Sequence, residues 1–298
     1  YVKFLPLLKK RIKDFIYNNQ DNKNLKIYSN KSDEIISNKV YDLFNTFDYA
    51  CVYLEIKNNS LINIYTKQEY QNKINKILTL LEKAMNKYTF PDTKLVLITE
   101  DHWSYYNWKI DINTPHYSFC KIKDEELDGN VHLFPAYSFI NQIELNIGDF
   151  EDVKNKILTE YNIKWEDKRN EVFFNGSNSN YIRAKMNYSK YAIYMTNMRN
   201  KHNYFDIYEH CKYKYILDMD GRAWSVKFSY LLLMGCCVIK LVPEDLVYIE
   251  WFREFFIVNE DFIEIKYKRN ESVKSIENKI DNAINTLDCK NMAINCQK

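Results

Sequence analysis

A chain of 298 residues is long enough for two domains of ordinary size, each burying its own core. Its 46% hydrophobic and 28% charged residues exclude the disordered class. With 42 Lys and Arg against 40 Asp and Glu, bulk attraction to nucleic acid or to an anionic membrane is excluded as well, so any anion has to be gripped locally.

The longest apolar run, through Tyr230 and Met234 to Ile239, is broken by Gly235 and is far shorter than a bilayer span, so no transmembrane segment is expected. The sequence opens at Tyr1 without a basic-plus-apolar leader pattern, and localisation is not readable from it. None of the seven cysteines forms a CxxC pair, so no structural metal is expected and buried single thiols are.

In chain order, residues 71–87 predict a helix, because Ile74, Ile77, Leu78, Leu81 and Met85 recur on one helical face. The Phe90-Pro91-Asp92 turn leads to an apolar strand at 94–99, and Glu100-Asp101-His102 then sets two carboxylates and an imidazole at its carboxyl edge. Acidic residues there ordinarily solvate a loop, yet a carboxylate at that edge is also a candidate general base. Strands follow at 116–120 and 131–134, and the polar segment 149–170, with one helix, marks a domain boundary.

The second half restarts the alternation with a strand at 171–174, a polar turn at 175–180 and a basic helical stretch carrying Arg183 and Lys185. A strand at 213–217, a turn at 218–221, a helix at 223–234 and a strand at 236–241 come next. Val273, Ile276, Ile280, Ala283 and Ile284 predict an amphipathic tail helix over 272–287. The alternation defines an α/β fold, read as a first domain at 1–160, a second at 161–270 and a C-terminal helix at 271–298 that packs back on the body.

Two turns carry the most chemistry. In Tyr215-Ile216-Leu217-Asp218-Met219-Asp220-Gly221-Arg222-Ala223, a buried strand ends in a glycine turn opening toward a helix, the place where doubly wound folds bind phosphates. Arg222 and Lys227 would supply charge, and an ordinary βα turn with surface cations explains the same spacing. The second turn, Asn175-Gly176-Ser177-Asn178-Ser179, is followed by Arg183, and Ser177 or Ser179 reads equally as a helix N-cap. Asp218-Met219-Asp220 also fits the Asp-x-Asp by which metal-dependent GT-A transferases hold a cation, although carboxylates that shape a turn explain it more simply.

The run Cys211-Lys212-Tyr213-Lys214-Tyr215, with Asp220-Gly221, Ser225, Phe228, Leu231-Leu232-Leu233 and Gly235, resembles glycosyltransferase family 90, the protein O-glucosyltransferase and fungal capsule xylosyltransferase family. Phe173-Phe174-Asn175-Gly176-Ser177 with Arg183 is similar to the family's Phe-Arg-Gly-Ser turn and its downstream Arg. Pro91-Asp92, Asp101, Pro115, Ser118-Phe119, the run Phe134 to Phe139, Glu250-Trp251-Phe252 and Phe262-Ile263 follow the family's order, from about residue 50 to 285.

The resemblance implies a GT-B arrangement, two Rossmann-like domains facing across a cleft. It implies inversion at the anomeric carbon, no required metal or cofactor, and UDP-glucose or UDP-xylose as donor to a protein or glycan hydroxyl. It places the catalytic base at Asp101 and an acceptor side around His102, Trp103 and Tyr137. Donor contacts fall to Gly176, Ser177, Arg183, Asp220, Gly221, Arg222, Ala223, Ser225 and Lys227, and the compartment implied is the secretory pathway or the lumen of the endoplasmic reticulum.

The chain departs from the family twice in that donor set. Asn175 stands where the family has Arg, and Lys227 replaces another Arg, keeping charge but not bidentate geometry. The loss at Asn175 opens an alternative, a non-catalytic carbohydrate- or nucleotide-binding protein of the same fold. Family members often carry a bridge partner for Cys211 at the place of Met234, and Cys236 is the nearby cysteine that would serve.

Overall fold

A computed structural model describes residues 51–66, 71–100, 116–123, 131–137, 147–196 and 205–297. The chain divides into two compact units, Tyr1–Ile140 and Asn141–Lys298.

In the first unit β1 (Cys51–Lys57) and β2 (Ser60–Thr66) form an antiparallel hairpin. Its two turn residues, Asn58 and Asn59, both have positive φ, 49° and 56°, the left-handed pair a two-residue hairpin needs and asparagine tolerates. The Asn59 side chain accepts from Phe90 N (2.8 Å) and donates to Met85 O (3.0 Å), which ties the hairpin to the end of α1 (Gln71–Met85). Helix α1 buries Ile74, Ile77, Leu81 and Met85, the stripe that periodicity predicts.

Strand β3 (Thr93–Ile98) runs antiparallel to β1 and parallel to β4 (His116–Ser118), which is parallel to β6 (Val131–Leu133). The short β5 (Cys120–Ile122) follows β4. The sheet order β2-β1-β3-β4-β6 is mixed, not mostly parallel as the alternation suggests, because the hairpin stands in front of the first βαβ step.

The second unit is built on a parallel sheet of order β12-β10-β9-β7-β8. Its strands are β7 (Arg169–Ser177), β8 (Ala192–Thr196), β9 (Tyr213–Met219), β10 (Cys237–Pro243) and β12 (Ile263–Tyr267), with the short β11 (Tyr248–Glu250) between the last two. One face alternates Val172 and Phe174, Leu217 and Met219, Ile239 and Leu241, Ile263 and Ile265. These pack with Ile182 and Met186 of α3 (Tyr181–Met186), Ile276 and Ile280 of α5 (Val273–Thr286), and Met292 of α6 (Cys289–Gln297). Ser272 caps α5 through its hydroxyl. Helix α2 (Phe150–Thr159) lies in the predicted polar segment and reaches Tyr230 of α4 (Phe228–Leu231) through Phe150, ring centroids 5.2 Å apart.

Two expectations change here. Asn175-Gly176-Ser177 is not a turn: β7 continues through it, held by pairing to β8. The helix expected at 223–234 shrinks to the four residues of α4, preceded by an irregular turn in which Gly221 N donates to Trp224 O (3.2 Å). Cys211 and Cys236 are both free buried thiols, as expected of single cysteines, and the bridge the resemblance left open is not formed. The Lys168 ammonium holds that region instead, donating to Cys211 O, Met234 O (3.2 Å) and Cys236 Sγ (3.6 Å). No helix among the described residues is long and apolar enough to cross a membrane.

Candidate functional site

From β7 the chain passes to β8 on one side, and from β9 to β10 on the other. The strand order therefore reverses between β7 and β9, and the carboxyl ends of those neighbours form the switch-point crevice in which open parallel sheets bind ligands. Both chemistry-bearing segments meet there.

Arg183 joins them. It projects from α3, whose N-cap is Asn180 and neither of the serines considered for that role; Asn180 Oδ1 accepts from Ile182 N. The guanidinium donates to Met219 O through Nε (3.2 Å) and Nη2 (2.6 Å), to Ser177 O (2.9 Å) and to Ser179 Oγ (3.2 Å). One side chain thus clamps the end of β7 to the end of β9, leaving one of its five N–H groups over. Asn180 adds a second tie, Nδ2 to Gly221 O at 2.7 Å. A Cβ on Gly176 would come within 2.8 Å of the Phe174 ring and 3.4 Å of Arg183 Nη1, so the clamp closes over a bare backbone.

Lys227, half-buried, donates to Asn175 O. Burial, reinforced by the Arg183 charge, lowers its ammonium to about 7. Asn175 is buried and turned to β8, its amide donating to Tyr194 O (3.1 Å) and Thr196 Oγ1 (3.0 Å). The position where the resemblance implies an Arg therefore holds a strand-stitching amide, and among the described residues the crevice's cations are Arg183 and Lys227, with Arg222 exposed on the turn. Gly221 and Ala223 are buried in that turn, and Ser177 is half-buried.

Beneath the turn, on the face opposite the α3/α5/α6 core, lies a buried charge cluster. Lys240 Nζ meets Asp218 Oδ2 at 3.0 Å and Asp220 Oδ1 at 2.7 Å. The Ser225 hydroxyl donates to Asp218 Oδ1. Burial acts to lower Lys240, but Asp218 and Asp220 together hold it above the ordinary lysine range; burial raises Asp220 against the pull of Lys240. The Asp-x-Asp that a metal-dependent reading needs is thus engaged with a lysine ammonium.

Arg253 pairs with Glu264 and lies 4.0 Å from the Phe262 ring centroid. Glu250 is buried near this group with neither carboxylate oxygen hydrogen-bonded. Burial pushes it up to about 7, Lys240 opposing and Asp220 and Asp218 adding. A carboxyl raised on folding holds its proton in the native state, so native stability falls as pH rises from the unfolded value near 4.5 to about 7. Comparing Glu250→Gln with the parent by denaturant melts at pH 5 and pH 8 cancels packing costs common to both. The difference is expected to favour Gln at pH 8 by about 2 kcal/mol, and no difference between the two pH values would show Glu250 to be ionised throughout.

Other sequence-predicted residues fall elsewhere. Asp101, His102 and Trp103 lie outside the described residues. Tyr137 is buried in the first unit, edge-to-face with Phe119 at 5.6 Å and beneath Lys73 and Lys76 (5.0 and 5.7 Å), and presents little open platform. Sequence reasoning passed over Asn180, Lys240 and Glu250. The signal for Lys240 was there, a single lysine within Val238-Ile239-Lys240-Leu241-Val242, where an apolar strand can hold a charge only by pairing it.

The model of glycosyl transferase family 90 matches residues 18–298. No individual curated protein matches the chain.

Proposed function

The chain belongs to glycosyl transferase family 90, and from that premise we propose that it moves glucose or xylose from a UDP-sugar to a hydroxyl of a protein or glycan, inverting the anomeric carbon. The observation that carries the donor half is the convergence of Arg183 and Lys227 on the switch-point crevice. In this reading the two units form a GT-B pair, and the diphosphate lies against the ends of β7 and β9, contacted by Gly176, Ser177, Gly221 and Arg222. Asp101, in the first unit, takes the proton of the acceptor hydroxyl. That oxygen attacks the anomeric carbon as its bond to the diphosphate breaks, and the charge left on UDP is met by Lys227 and the remaining N–H of Arg183.

Binding to the native state must raise apparent stability, so UDP-glucose and UDP-xylose are expected to raise the melting temperature, and incubation with the correct one to release UDP as water takes the sugar in place of the acceptor hydroxyl. Absence of both sinks the donor reading; binding without release favours the non-catalytic alternative. A further mark is specific to Lys227. An anion stabilises its charged form, so donor binding is expected to take up a proton above about pH 7 and to weaken from pH 6.5 to 8.5. Calorimetry in buffers of different ionisation heat reads that uptake, which Lys227→Met removes.

A further inference from the structure

The turn between β9 and α4 carries Arg222 and Lys227, two of the crevice cations, yet no regular helix orders it: helical structure starts only at Phe228. What holds it lies below. Lys240 sits in the centre of β10, in register with Asp218 on the neighbouring β9, and its side chain is 0% exposed. Its ammonium reaches carboxylates at both ends of the strand's last step, Asp218 at 3.0 Å and Asp220 at 2.7 Å, and stands 4.4 Å from the centroid of Phe228, the first residue of α4. Asp218 in turn accepts from Ser225, midway along the turn, and Phe228 N donates to Ser225 O at 3.0 Å. The start, middle and end of the turn are therefore tied to one buried cation.

We propose that Lys240 is the positioning residue of the donor site: through Asp218, Asp220 and Phe228 it fixes the 220–227 turn in the shape that presents Arg222 and Lys227 to the nucleoside diphosphate. The proposal rests on the donor reading above. Lys240 itself touches no ligand, being wholly covered. Without its charge two buried carboxylates face one another, and the turn relaxes to separate or hydrate them.

Loss of fold and loss of positioning are separated by replacing all three charged groups with neutral ones. In the triple variant Asp218→Asn/Asp220→Asn/Lys240→Met the ammonium and both carboxylates it meets are neutralised together, so none of the three is left as an unpaired ion, and the fold is expected to be kept while the electrostatic ties are gone. Titration of UDP by calorimetry, beside a thermal melt, is expected to show the triple folded, melting close to the parent, and binding UDP at least tenfold more weakly. The donor KM is expected to rise with it more than kcat falls. Lys240→Met alone is expected to weaken UDP binding similarly and also to melt lower. A folded triple with parental UDP affinity overturns the proposal. Should the triple not fold, Ser225→Ala decides: it cuts the tie to Asp218 without exposing a charge, a threefold or greater loss of UDP affinity is expected, and unchanged affinity overturns the proposal. Failure of the parent protein to bind UDP is a separate result, which removes the donor reading and this inference with it.

Discussion

Asp101→Asn is expected to reduce UDP release from the UDP-sugar by about 10²- to 10⁴-fold, the range that a positioned general base contributes, while leaving UDP affinity unchanged. The separation follows from the roles proposed. Donor binding draws on the second unit, whereas the base acts only on the acceptor hydroxyl, whose proton must leave as the new bond forms. An asparagine of the same size cannot take that proton. Initial-rate measurements at saturating UDP-sugar, beside a UDP titration, read the two quantities independently. Turnover unchanged in the variant removes Asp101 as the base and passes the role to a neighbour such as Glu100 or His102. Loss of UDP affinity together with turnover would place Asp101 in binding instead.

The legible part of the fold was the part with local period. The stripe of α1, the tail helix α5 and the strands β3, β9 and β10 follow from apolar spacing alone. The hairpin β1/β2 was missed because its turn is Asn-Asn, in a chain so rich in asparagine that the residue marks nothing by itself. The C-terminal helix read over 271–298 is two helices, α5 and α6, and the second was not distinguished because Cys289, Met292, Ala293 and Cys296 make too faint a stripe beside its polar residues. The helix written over 223–234 failed for a physical reason: its apolar run is buried around α4, and a fully buried segment carries no period by which to tell helix from turn. In the site, the turn after β9 was legible, but not that Asn175-Gly176-Ser177 is strand, nor that Arg183 serves first as a clamp between the ends of β7 and β9. Long-range partners such as Met219 O for Arg183, 36 residues away, leave no local trace.

That clamp yields the second large effect. Arg183→Met is expected to lower stability by about 3 kcal/mol, because hydrogen bonds from a buried charged donor are worth about 1.5–3 kcal/mol each and the acceptors they served are left in an apolar setting. For a protein of this size that is a drop in melting temperature of about 5 °C. UDP affinity is expected to fall about 100-fold at a temperature where the variant is still folded, since the ends of β7 and β9 lose their common tie and the crevice loses a cation. Arg183→Lys separates the two contributions. Lysine restores the charge but presents one nitrogen where the guanidinium presents three, so it cannot reach Met219 O and Ser177 O together. It is expected to melt nearly as low as the Met variant while recovering part of the UDP affinity. If Arg183→Lys instead melts with the parent, a point charge suffices and the clamp is not what joins the strands. If it is stable but binds UDP as weakly as Arg183→Met, the remaining N–H of the guanidinium is itself the diphosphate contact.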